Sequence, residues 1–186
     1  MTNKIATLID DSAALMAEKV AAQQEKPGYA MDAYFYRSHM VYEKELDQIV
    51  YKSWLYAGHV SQVENPGDFF QFEVGEDAII ISRDNDGEVH ALFNICRHRG
   101  ARVCEEASGN RKAFVCPYHG WAYAMDGSLK AARAMDALEG FDTADYGLKK
   151  PQICVYEGMI FINCDPDAPD FEAAMDTIGA ALKPYD

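Results

Sequence analysis

Cys96-Arg97-His98 and Cys116-Pro117-Tyr118-His119 put two thiols and two imidazoles into one short stretch of chain. Nothing else in the sequence limits the fold as sharply, because two short loops must be brought together and held by something rigid. Structural zinc sets usually pair like with like, cysteine box with cysteine box and histidine box with histidine box. Here each box carries one Cys and one His, and a single residue separates them in the first. That order suits a binuclear cluster in which one iron takes both thiolates and the other both imidazoles. A zinc-held interaction module is the alternative the four residues leave open. Gly100 and Gly120 each follow a histidine by one or two residues. Such loops need backbone that accepts positive φ and approaches closely without a Cβ, and Pro117 stiffens the second loop.

The rest of the chain supplies the rigid support. From Trp54 onward the hydrophobic period is two, which predicts strands over 68–74 and 77–84 joined by a turn at Gly75-Glu76. Asn85-Asp86-Gly87 is a hairpin signal before the strand expected over 88–95. Segments 112–117, 121–128, 152–158 and 159–165 read as four more strands, with turns at Asp126-Gly127 and Glu157-Gly158. Short strands at this spacing predict an antiparallel sandwich or barrel, with the first box just after one strand and the second across the end of another. Before it, residues 3 to about 24 are predicted helical from Ile5, Leu8, Ile9, Leu15, Met16 and Val20. Lys26-Pro27-Gly28 stops that helix, and a second runs from His39 to Tyr51. After Cys164 comes an Asp/Pro-rich linker, then a short helix from Phe171.

Length and charge exclude several function classes. A chain of 186 residues can bury a real core, so a metal need not rescue a tiny fold. Its formal charge of −13 repels phosphate backbones and argues against nucleic acid as a partner. The amino terminus lacks the plan of a signal peptide, and no run approaches the roughly 18 apolar residues of a membrane helix. A cytoplasmic protein with no membrane contact is expected. Five cysteines, an odd number without framework spacing, favour metal ligation over bridges. His59 and His90 lie in strand patterns and read as structural, and no residue of the chain reads as catalytic.

The boxes C-R-H-R-G and C-P-Y-H-G-W resemble those of a Rieske [2Fe–2S] centre. They are similar to those of the Rieske non-haem iron oxygenases, the aromatic-ring-hydroxylating dioxygenase large-subunit family. Ala101 and Tyr118 stand where the disulfide-bearing respiratory branch has cysteines, and Cys104 has no partner in the second box. The resemblance runs from about residue 30 to the end and implies a mainly β fold with a helical amino-terminal arm. Its body would be a Rieske-type antiparallel β-sandwich carrying two cluster-binding loops. It implies an arm over 1–52, the [2Fe–2S] domain over 53–165, and over 166–186 a linker and the start of a catalytic domain. Cys96, His98, Cys116 and His119 would hold the cluster, with Arg99, Gly100, Tyr118, Gly120 and Trp121 around them. The basic residues Arg97, Arg99, Arg102, Arg111 and Lys112 could dock an acidic electron donor, or pair with carboxylates.

For a parent protein the resemblance implies an electron-relay domain of a terminal oxygenase using O2 and NAD(P)H-derived electrons. A reductase or ferredoxin would supply the electrons. A mononuclear Fe(II), in the catalytic domain of the same or a neighbouring subunit of a homotrimer, would receive them. The His-x4-His motif of that second iron site is absent from this sequence. The substrate would be a small quaternary amine or an aromatic compound, hydroxylated or demethylated. A stand-alone Rieske-type ferredoxin is the alternative, against which the helical arm counts.

Overall fold

The computed structural model describes residues 11–133, 135 and 138–171. The chain divides into two compact units, Met1–Lys52 and Ser53–Asp186. In the first unit, helix α1 spans Ala13–Gln24 and α2 spans His39–Gln48, followed by a 3-10 turn over Val50–Lys52. Ser12 caps α1 by accepting from the Leu15 amide at 3.2 Å, and Ser38 caps α2 through the Val41 amide at 3.1 Å. Helix α1 therefore begins at Ala13, and Asp11 and Ser12 are not part of it. Asp11 is tied down instead by the hydroxyls of Tyr34 and Ser38 and by the Met40 amide. The part of the expected helix over 3–10, and the carboxy-terminal helix expected beyond Phe171, lie outside the described residues.

The second unit is antiparallel throughout. Strands β1 (Leu55–His59), β10 (Met159–Asn163) and β9 (Gln152–Tyr156) form one sheet in that order. Strands β4 (Val89–Phe93), β3 (Asp77–Arg83), β2 (Asp68–Val74) and β5 (Ser108–Asn110) form the second. The third is β6 (Phe114–Val115), β7 (Ala122–Tyr123) and β8 (Leu129–Ala131).

Turn chemistry sets the register. Val74 pairs with Asp77 across Gly75-Glu76, where Gly75 at φ +60° takes the position a two-residue hairpin reserves for glycine. Tyr156 pairs with Met159 across Glu157 and Gly158, both at positive φ, which matches the right-handed twist of the flanking strands. Ile79, Ile80 and Ile81 are all fully buried, so β3 is covered on both faces. One core cluster joins Phe69, Ile80 and Leu92 of the second sheet to Phe114, Tyr123 and Leu129 of the third, and it contains Cys96, Cys116 and Trp121. Both boxes are thus anchored in the main core through their cysteines.

Candidate metal centre

The two boxes fold into the same six-residue loop. In the first, the Cys96 amide donates to Ala101 O at 2.8 Å and the Gly100 amide to Cys96 O at 2.9 Å. In the second, the Cys116 amide donates to Trp121 O at 2.8 Å and the Gly120 amide to Cys116 O at 3.0 Å. Gly100 sits at φ +75° and Gly120 at φ +73°. A Cβ at either glycine would meet nothing within 4 Å, so the left-handed turn requires glycine there, not close approach of protein atoms. The first loop follows β4, and the second is the hairpin connection from β6 to β7.

These loops bring the four candidate ligands together as two pairs. The Cys96 and Cys116 thiols are buried in the same core cluster, near enough for each to bear on the other's ionisation. The His98 and His119 rings are 4.6 Å apart between centroids, at 70°. Among the described residues, no three His, Cys, Asp or Glu side chains are gathered as a single ion would need. Two donors for each of two irons is a different demand, and the pairs meet it. Burial pushes the Cys116 thiol up and the neighbouring Cys96 adds to this, while the backbone amides of Tyr118 and His119 favour the thiolate. Burial holds His119 below its ordinary value, with the positive fields of His98 and Arg99 acting the same way.

One buried atom at the site supports a [2Fe–2S] group. His98 Nδ1 is buried and has no hydrogen-bond partner among the described residues. Leaving such a nitrogen without a partner costs about 1–3 kcal/mol, which a bound metal removes. With the group bound, its irons can take up and release one electron at a time.

The surrounding residues differ in role. Trp121 is buried and its indole lies flat on His98, 5.0 Å between centroids and 8° between planes. Tyr118 is exposed and tilts over His119 at 3.9 Å. Arg99 is exposed and, like Arg97, forms no ion pair among the described residues. Arg111 is committed elsewhere, paired with Glu106 and lying over the Phe69 ring, and Arg102 reaches Glu73 at 3.9 Å. Arg111 and Arg102 therefore pair with carboxylates of their own unit, while Arg97, Arg99 and Lys112 form no ion pair among the described residues. His90 Nε2 is 2.7 Å from Asp84 and His59 Nδ1 is 2.9 Å from Ser61, structural settings for both histidines. All five cysteines are free thiols, and Cys104 is buried beside Glu106.

Two residues join the site that sequence reasoning did not single out. Tyr123 is fully buried, and its hydroxyl lies 3.3 Å from Cys96 Sγ and accepts from the Arg97 amide at 3.1 Å. Burial first, and then the Cys96 neighbour, push its phenol well above the ordinary tyrosine value, so it stays protonated. Asn94 braces the base of the first loop. Its Oδ1 accepts from the Val103 and Cys104 amides, and its Nδ2 donates to Cys104 O and to Gln71 Oε1. The inward alternation of Trp121, Tyr123 and Met125 was the available signal for Tyr123; Asn94 had none.

Residues 53–142 match the family description "Rieske [2Fe-2S] domain". The chain carries that domain, and both loops lie within the matched residues. Within that class it belongs to the Rieske non-haem iron oxygenases, as the sequences and folds it resembles agree. It is 40% identical over 143 residues to the biphenyl 2,3-dioxygenase subunit alpha of Rhodococcus jostii, covering 76% of this chain and 31% of that one. It is 35% identical over 152 residues to the glycine betaine monooxygenase oxygenase subunit of Pseudomonas aeruginosa, covering 82% of this chain and 35% of that one. Among solved structures, naphthalene 1,2-dioxygenase from a Rhodococcus species bound to indole superposes with a TM-score of 0.77 at 31% identity. That match covers 88% of this chain and 38% of the dioxygenase. A quaternary ammonium Rieske monooxygenase in complex with L-carnitine gives 0.73 at 34% identity, covering 81% and 43%. The chain spans about a third of the length of the curated relatives it matches. Among the described residues, no helix is long and apolar enough to cross a membrane.

Proposed function

We propose that this chain is the electron-relay portion of a terminal oxygenase, with Cys96 and Cys116 on one iron of the cluster and His98 and His119 on the other. The observation that carries the assignment is the pairing itself. Two loops of identical backbone bring thiol to thiol and imidazole to imidazole, with His98 Nδ1 buried and unpartnered. Arg99, Gly100, Tyr118, Gly120 and Trp121 surround the ligands. On this reading residues 53–165 are the [2Fe–2S] domain, 1–52 a helical arm, and 166–186 a linker and the start of a catalytic domain.

In the parent protein, a reductase or ferredoxin delivers NAD(P)H-derived electrons, and the exposed Arg97 and Arg99, without an ion pair among the described residues, favour an acidic donor. The His119 side opens onto a cleft of about 730 Å³ that also involves His98, Tyr118, Arg133 and Met135. This is a suitable face for the catalytic domain of the same or a neighbouring subunit in a homotrimer. The oxygenation itself, at a mononuclear iron outside this chain, acts on a quaternary amine or an aromatic compound. Both chemistries occur in the names of the relatives.

The ligand assignment is tested by reducing the iron-loaded chain with dithionite and recording its EPR spectrum. A Rieske-type signal is expected in the unaltered chain and should vanish in Cys96→Ser and in His119→Ala. An unchanged signal in either variant would sink the assignment, and a colourless protein holding one zinc per chain would sink the function.

A further inference from the structure

Among the described residues, two buried side-chain polar atoms lack a hydrogen-bond partner, His98 Nδ1 and Trp121 Nε1, and the rings that carry them are stacked on each other. On the function proposed above, iron takes the imidazole nitrogen. The indole N–H is left over. Trp121 is only 2% exposed, so bulk water does not satisfy it. The contrast with the other tryptophan is direct, since Trp54 Nε1 donates to Pro169 O at 3.1 Å. Neither ligand sulfur serves Trp121 as an acceptor, and Cys96 Sγ already faces the Tyr123 hydroxyl. Two more rings pack against the indole, Phe141 and Tyr146, both edge-on at 5.8 Å. A buried donor beside a metal centre, with no protein acceptor in reach, calls for an acceptor belonging to the centre.

We propose that the Trp121 indole N–H donates a hydrogen bond to an inorganic sulfide of the bound cluster, while the face of the same ring holds the His98 imidazole in orientation. Trp121 is thus a positioning and tuning residue. An N–H directed at sulfide stabilises the added electron, because reduction raises the negative charge on the sulfur and strengthens the bond. The consequence is a higher midpoint potential than the same loops would give without the indole donor. The proposal rests on the cluster assignment above and adds to it an acceptor for the second unpartnered atom.

The test uses the whole chain, iron-loaded and reduced, with 15N placed only in the indole of its two tryptophans, and pulsed EPR to detect nitrogen coupled to the cluster spin. A 15N coupling is expected, distinct from the unlabelled imidazoles. It should persist in Trp54→Phe and disappear in Trp121→Phe, which keeps an aromatic face but loses the donor. The midpoint potential should shift downward in Trp121→Phe and stay put in Trp54→Phe. If Trp121→Phe fails to assemble, the Trp54→Phe chain still decides, because Trp121 is then its sole indole. A normal reduced signal without indole coupling overturns the proposal and places the N–H on the Phe141 or Tyr146 ring or on a trapped water. No reduced signal at all in the unaltered chain fails the cluster assignment itself, a separate result.

Discussion

Loop Cys96–Ala101 and loop Cys116–Trp121 close with the same pair of backbone hydrogen bonds and turn on a left-handed glycine at the fifth position. Yet the histidine stands third in one and fourth in the other. The environments differ as well. The first loop is braced from within by Asn94, by the Tyr123 hydroxyl on the Arg97 amide, and by the Trp121 ring on His98. The second loop presents Pro117 and Tyr118 to solvent beside an open cleft. One backbone can therefore serve two ends of a relay. The residue offset lets two equivalent loops bring their imidazoles to one cleft, and the difference in bracing leaves the first loop tied to the core and the second more open to solvent.

The comparison breaks most readily at the offset. Exchanging the second-loop pair, Tyr118→His with His119→Tyr, gives that loop the spacing of the first while leaving composition unchanged. The side chain would then leave the shared backbone one residue early. Loss of the Rieske EPR signal is expected, as complete as for removal of the ligand. A retained signal would show that the loops tolerate either spacing and that the offset carries no geometric meaning.

Bracing is the next difference to test. Asn94 is buried and makes four hydrogen bonds at the base of the first loop. Asn94→Ala leaves the buried Val103 and Cys104 amides without an acceptor, so a loss of about 3 kcal/mol is expected in urea denaturation of the cluster-free chain. Pro117→Ala, on the exposed second loop, should cost less than about 1 kcal/mol. Equal effects would remove the asymmetry argued above.

The glycines test the opposite claim, that the backbones are equivalent. Gly100→Ala and Gly120→Ala each force a Cβ into the left-handed region but meet no neighbour, so conformational strain alone acts. Each should cost about 1–2 kcal/mol, and by the same amount within error. Unequal losses in the cluster-free chain would mean that the two loops are only superficially alike.

Much of this was legible in the sequence, and the boundary has a physical cause. Strands β2, β3, β9 and β10 are marked by alternation and by glycine turns at Gly75 and Gly158, local signals that act within a few residues. Strands β5 and β8 are three residues each, without alternation, and were not expected. β5 exists because Ser108–Asn110 pairs with Asp68–Phe70, some 40 residues away in sequence. The ligand set was legible because metal chemistry restricts residue types and spacing tightly. Tyr123 and Asn94 escaped because their roles depend on which loop the fold lays against them. An asparagine before the first box reads as an ordinary loop polar until its four partners are known.

The smallest expected effect is a control on whether the asymmetry is local. Asp84 lies in the turn from β3 to β4, outside both cluster loops, and bonds the amides of Asp86 and Glu88 and the His90 ring. Burial alone would raise its carboxyl, but the His90 bond and the two amides outweigh that and hold it below its ordinary value of 3.8. A carboxylate lowered on folding stabilises the fold above its unfolded pKa and loses that contribution as pH falls through the folded value. Urea midpoints of the cluster-free chain should therefore drop as the pH falls below about 4, and drop less steeply in Asp84→Asn. The EPR signal of the loaded variant at neutral pH should match that of the parent chain. A variant that lost the cluster would show instead that the first loop, which follows β4, takes its shape from this turn rather than from its own bracing.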